Sequence, residues 1–117
     1  YIARNTMTNC MRTAIKLGGE ISWREAGPVH DVIIEDNYIY NCCTDDRNDA
    51  SCVLTSTEAT QTPEPPNRNI IIRNNIFFTQ NPIAIKLQDA RDVKIENNLV
   101  NKPDYVQQIN CKNVTIK

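Results

Sequence analysis

Asp92-Val93-Lys94-Ile95-Glu96-Asn97-Asn98-Leu99-Val100 decides the fold, because the same nine-residue pattern occurs elsewhere in the chain. It aligns with Asp31-Val32-Ile33-Ile34-Glu35-Asp36-Asn37-Tyr38-Ile39 and with Asn69-Ile70-Ile71-Ile72-Arg73-Asn74-Asn75-Ile76-Phe77. Asn113-Val114-Thr115-Ile116-Lys117 opens a further copy, and Ile2-Ala3-Arg4-Asn5-Thr6-Met7 is the tail of another. The aligned strands start at Val32, Ile70, Val93 and Val114, separated by 38, 23 and 21 residues, so the shortest spacing is the basic period and the longer ones carry insertions. Apolar side chains alternate at Val32/Ile34, Ile70/Ile72 and Val93/Ile95, the two-residue period of a half-buried strand. The second half of the unit repeats as well: Ala14-Ile15-Lys16-Leu17 and Ala84-Ile85-Lys86-Leu87 are identical, each starting nine residues after the aligned Asn.

Working outward, composition agrees with a repeat of strands and turns. The 117 residues include 15 Asn and 15 Ile but 3 Gly. Asn tolerates left-handed backbone better than any residue except Gly, so Asn is expected to take over turn positions, while Ile favours strands. No stretch has helical periodicity, and the regular leucine scaffold of a leucine-rich repeat is missing. Short strands in a coil of about 22 residues stack their equivalents about 4.8 Å apart, which gives a parallel β-helix. The expected architecture is all-β: a right-handed single-stranded parallel β-helix of four to five coils, residues 1–117 forming one fragment of a longer helix, with loop insertions at 18–28, 43–50 and 55–68.

With 13 Lys plus Arg against 14 Asp plus Glu the net charge is -1, which argues against nucleic acid or an anionic membrane as partner. No apolar run reaches the roughly 20 residues of a membrane span. Tyr1 and Lys117 interrupt repeats, so flanking coils of the same chain are expected partners. Cys10 and Cys42 each lie five residues after a repeated Asn and should stack on adjacent coils, while Cys52 is aligned with Ile15 and Ile85. Five thiols cannot all pair internally, and free buried thiols are the expectation. With His30 the single histidine and Cys42-Cys43 the one close cysteine pair, neither a metal nor a cofactor is expected.

The unit, with Asn5, Asn37, Asn75 and Asn98 at one turn position, resembles the right-handed parallel β-helix superfamily, which includes pectate lyases, polygalacturonases, other glycosidases and phage tailspikes. The resemblance implies that these Asn form a hydrogen-bonded ladder along a turn, a structural role. Trp23-Arg24-Glu25-Ala26-Gly27-Pro28-Val29-His30-Asp31-Val32, followed by Asn37 and Asn41-Cys42, resembles a segment of the α-1,3-galactosidases of glycoside hydrolase family 110. That family implies a β-helix that cleaves terminal α-1,3-linked galactose with inversion, mostly in bacteria, and catalytic aspartates. Here the sequence offers Gly18-Gly19-Glu20 before Trp23, so an acid role passes to Glu20.

Chemistry is sought in the insertions. Those at Gly18 to Pro28 and at Thr55 to Arg68 leave the same corner of neighbouring coils if Leu54 is aligned with Leu17 and Leu87, so together they wall a groove. The first holds the single Trp, two carboxylates and all three glycines. An aromatic ring stacks on the apolar face of a pyranose, and glycoside hydrolysis needs one carboxyl group as acid and another as base or nucleophile. Glu20, Glu25 and Glu58 are therefore the catalytic candidates, and Trp23 and Arg24 the substrate-binding ones. Asp45, Asp46 and Asp49 read as a solvated loop ahead of a catalytic pair or calcium site, His30 as a surface histidine, and Pro63-Glu64-Pro65-Pro66 as a stiff loop return. The expected function is a segment of a carbohydrate-active protein, a glycoside hydrolase acting on α-galactosides or a related oligosaccharide or polysaccharide in an extracellular or periplasmic setting. The alternatives are a non-catalytic glycan-binding or structural surface segment and a polysaccharide lyase.

Overall fold

A computed structural model describes residues 1–19, 27–44, 51–56 and 63–117. Among them there is no helix, and every strand pairing is parallel. The chain returns to each of three faces in turn. The first face is built from β1 (Ile2–Ala3), β4 (His30–Glu35), β7 (Asn67–Arg73) and the C-terminal half of β9 (Ile85–Glu96). The second face stacks β2 (Thr6–Thr8), β5 (Tyr38–Cys42), β8 (Ile76–Thr79) and β10 (Leu99–Val100). The third stacks β3 (Ile15–Leu17), β6 (Val53–Thr55) and the N-terminal half of β9, and β11 (Val106–Ile116) runs along the whole of β9. These parallel, curled sheets form a β-solenoid-like fold.

Register follows the repeat. Val32, Ile70, Val93 and Val114 are successive partners, as are Ile2, Ile34, Ile72, Ile95 and Ile116. Ile34, Ile70, Ile72, Val93 and Ile95 have no exposed surface, so like residues stack coil on coil inside and the core repeats with the strand spacing. No helix of the described residues is long and apolar enough to cross a membrane.

Positive φ falls where the composition leads one to expect it. Of the 14 described non-glycine residues with positive φ, 12 are Asn or Asp, the two types whose short polar side chains best tolerate that backbone. In the turn between the first two faces the left-handed residue is the one before each repeated Asn: Arg4, Asp36, Asn74 and Asn97. That leaves Asn5, Asn37, Asn75 and Asn98 free to form the ladder. Asn37 Nδ2 donates to Asn75 Oδ1 and to the Ile2 carbonyl, and the Asn37 backbone N–H donates to the same Asn75 oxygen, each at 3.0 Å. Asn75 repeats the pattern toward Asn98 and the Ile34 carbonyl. Asn37 and Asn75 are buried with their polar atoms bonded, so the turn runs inside the coil without unpaired polar groups.

One register expectation is corrected. Ile15 and Leu17 pair with Val53 and Thr55, which pair with Ile85 and Leu87, so the interior column runs through Val53/Thr55 and not through Cys52/Leu54. The reason is that Cys52, Val53, Leu54 and Thr55 are all buried, so no apolar–polar alternation sets the phase of the strand. Thr55 fits among leucines because its hydroxyl accepts from the Gln88 N–H at 2.9 Å and donates to the Gln88 carbonyl at 3.1 Å.

All five thiols are free, with Cys42, Cys43 and Cys52 buried. Burial and the neighbouring Cys10 thiol push the Cys42 thiol up to about 12. Its hydrogen bond to Cys52, together with burial, raises the Cys43 thiol, and the same contact lowers Cys52. An unfolded cysteine ionises at about 8.5, so between about pH 9 and 12 the unfolded chain releases a proton that native Cys42 keeps. Stability from this group is complete below the unfolded value and falls as pH rises, by at most about 1.4 kcal/mol per pH unit. Urea midpoints measured from pH 8 upward under reducing conditions should drop, and Cys42→Ala should flatten the drop; an unchanged slope in the variant would exclude this thiol as its source.

Candidate functional site

The third face is where the coils differ from one another. In β9 the chain runs from Ile85 to Glu96 without interruption and joins the third face to the first through Gln88 and Asp89. In the two preceding coils the chain leaves at this same point, after Leu17 and after Thr55, and rejoins the first face near Val29 and Asn67. The two departures are adjacent: the Ser56 N–H donates to the Leu17 carbonyl at 3.0 Å, and Gly18, at φ 93, packs so closely that an added Cβ would lie 2.3 Å from the Ser56 carbonyl oxygen. The two returns are adjacent as well. Asn67, fully buried, accepts from the Val29 N–H and donates to the Asp89 carbonyl, both at 3.0 Å, while the Arg68 N–H donates to the Val29 carbonyl at 3.1 Å. Thr55 and Asn67 thus bridge the opened coil to the continuous one, and both insertions are rooted about one strand spacing apart. Correcting the partner of Leu17 from Leu54 to Thr55 leaves that corner in place.

The insertion at 43–50 enters β6 from its other end, where the Cys43 N–H donates to the Cys10 carbonyl at 2.8 Å. The outer side of the third face therefore has insertion roots at both ends. Lys16, Leu54, Lys86 and Gln107 share a register there, and Leu54 is buried although its partners on either side are lysines. The return of the second insertion is pinned: Arg91 Nε donates to the Pro65 carbonyl at 3.1 Å, and Glu64 pairs with Lys112 at 3.1 Å and with Arg91 at 3.9 Å. This fits the reading of Pro63 to Pro66 as a stiff return.

Glu20, Trp23, Arg24, Glu25 and Glu58, and with them Asp45, Asp46 and Asp49, lie outside the described residues. The structure describes the roots from which these candidates extend. It also gives His30, read from the sequence as a surface histidine and exposed here, a partner, and aligns it with basic residues that the sequence reading passed over. His30 Nδ1 lies 2.8 Å from Asp31 Oδ2 at the exposed return of the first insertion, so the histidine has an adjacent carboxylate partner. The Asn69 amide, and then His30, hold the Asp31 carboxyl below the usual carboxylate range. His30, Arg68, Arg91 and Lys112 are successive register partners and line one edge of this corner with basic side chains. The repeat alignment contained this column, since each of the four sits immediately before Asp31, Asn69, Asp92 or Asn113.

No family model matches the chain. It is similar to Alpha-1,3-galactosidase A of Bacteroides thetaiotaomicron, at 29% identity over 107 aligned residues covering 83% of this chain and 18% of that relative. The chain thus spans less than a fifth of the length of the curated relative it matches.

Proposed function

We propose that this chain is a segment of a glycoside hydrolase acting on α-galactosides, carried on a right-handed parallel β-helix and working in an extracellular or periplasmic setting. The observation that carries the proposal is the pairing of the two insertion roots on neighbouring coils, fixed by Gly18 against Ser56 and by Asn67 between Val29 and Asp89. Two loops rising from such a base wall a groove, and the similarity to a galactosidase supports a galactoside in it. The right-handed sense is supported by the strong preference of parallel crossovers for that hand.

In this reading Trp23 stacks on the apolar face of the sugar and Arg24 hydrogen-bonds its hydroxyls. One of Glu20, Glu25 and Glu58 protonates the leaving glycosidic oxygen, while a second takes a proton from the water that attacks the anomeric carbon from the opposite side. Inversion needs those two carboxyl groups about 6.5 to 9.5 Å apart. Carboxylates from loops on adjacent coils can span that gap. In the full-length protein Glu20→Gln and Glu25→Gln remove the charge with little change of shape, and loss of the acid or base should lower turnover of an α-galactoside by about a hundredfold. An active parent whose rate both variants retain would remove these two residues from the acid–base pair and favour a non-catalytic, glycan-binding role for this segment.

A further inference from the structure

The second face presents an outer surface of a different kind. Coil by coil its outward positions are Thr6 and Thr8, then Tyr38 and Tyr40, then Ile76 and Phe78, then Leu99, with no charged group among them. The outer side of the first face, by contrast, carries the charged column Glu35, Arg73 and Glu96. Tyr38 and Tyr40 are 40% and 41% exposed, so the rings stand in solvent.

Their orientation follows from their neighbours. Tyr40 and Phe78 are register partners whose ring centroids lie 5.3 Å apart with planes at 21°, so Phe78 covers one face of Tyr40. The other face looks the opposite way, toward β2, where the register partner of Tyr40 is Thr8. The Tyr38 ring is stacked with that of Tyr40, at 8° with centroids 6.1 Å apart, and its own register partner on β2 is Thr6. The step from large rings to small exposed hydroxyl side chains makes a shelf about one strand spacing deep. Two parallel aromatic faces form its wall, braced from behind by Ile76 and Phe78, and the Thr6 and Thr8 hydroxyls form its floor.

We infer that this shelf is a carbohydrate-binding subsite on a different face from the insertion groove, taking the apolar face of a pyranose against Tyr38 and Tyr40 with the sugar hydroxyls turned toward Thr6 and Thr8. A pyranose is the ligand that suits it: flat, uncharged, apolar on one side and rich in hydroxyls at its rim. Phosphate-bearing or anionic ligands find no cation among these outward strand positions. The subsite stands on the ring geometry; the choice of a galactose-bearing probe rests on the function proposed above.

Isothermal titration of the full chain with a galactose-terminated oligosaccharide, and with a cello-oligosaccharide of equal length, tests it. Binding to at least one is expected, and Tyr38→Ala combined with Tyr40→Ala should weaken it by about tenfold or more. Thr8→Phe should also remove binding with both tyrosines still in place, because a ring at that position covers the open face of Tyr40 as Phe78 covers the other. Since it extends an existing stack, it should unfold no earlier than the parent. Affinity unchanged in both variants, or no binding of either oligosaccharide by the parent, would overturn the subsite. So would a parent dimer, seen by sedimentation, that the tyrosine variants dissociate, since this assigns the face to a second copy. Binding of the cello-oligosaccharide alone would leave the subsite standing and count against the galactoside reading.

Discussion

Gly18→Ala is expected to lower stability by about 3 to 5 kcal/mol, in the range reached when a side chain is forced into packed backbone. The added Cβ would lie 2.3 Å from the Ser56 carbonyl oxygen, and that atom belongs to the backbone of the adjacent coil, so it cannot turn aside as a side-chain end would. The glycine also sits at φ 93, a conformation that alanine adopts only under strain. Relief would require the two coils to part at this corner, breaking the Ser56 to Leu17 hydrogen bond and pulling on the Asn67 bridge. Gly27 is the internal control: a Cβ there meets nothing within 4 Å, so Gly27→Ala should stay within about 0.5 kcal/mol. Urea denaturation of both variants decides the matter. Equal midpoints would mean that the two insertion roots are not in contact, and the proposed groove would lose its base.

Asn75→Ala should cost about 3 kcal/mol, because one side chain serves three neighbours on two coils. Its oxygen accepts from both the N–H and the side-chain amide of Asn37, while its own amide donates to the Ile34 carbonyl and to Asn98. Alanine leaves buried donors and an acceptor without partners, each costing about 1 to 3 kcal/mol and partly relieved by relaxation or water. Asn98→Ala, at a half-buried rung, should cost less, and Asn69→Ala, whose amide meets Asp31 in an exposed column, should cost about 1 kcal/mol, mostly from placing alanine at φ 54. Thermal unfolding of the three variants gives the ranking. If Asn69→Ala proved as damaging as Asn75→Ala, burial of the ladder would not be what makes it matter.

These two positions show different degrees of legibility. Asn75 was marked by its recurrence at one turn position, and the resemblance to the β-helix superfamily implied its ladder role. Gly18 did not: the sequence contains Gly18-Gly19 in a loop rich in polar residues, and nothing local says which of the two touches another coil. Likewise the His30–Asp31 pair and the basic edge of Arg68, Arg91 and Lys112 were present in the aligned repeats, but their meaning depends on which strand lies beside which. The candidates Glu20, Trp23, Arg24, Glu25 and Glu58 rest on residue type and on the corner from which their loops depart.

The sequence by itself determined the class of fold, the first-face register of Val32, Ile70, Val93 and Val114, and the common turn position of Asn37, Asn75 and Asn98, because a repeated unit states its stacking each time it recurs; the hydrogen-bonded ladder of those Asn was implied by the resemblance to the β-helix superfamily. Composition also led to Asn at left-handed turn positions, while the share of those positions taken by Asp31, Asp36, Asp89, Asp92 and Asp104 came from the structure. Only the tertiary structure decided the phase of β6, where Val53 and Thr55 rather than Cys52 and Leu54 continue the interior column. A strand buried on both sides carries no alternation to read, and an insertion ahead of it removes the residue count that would otherwise set the register. The tertiary structure likewise turned Tyr38 and Tyr40 from repeat positions into a shelf, because what borders a ring is set by the neighbouring coils: Phe78 is the register partner of Tyr40 on one side and Thr8 on the other.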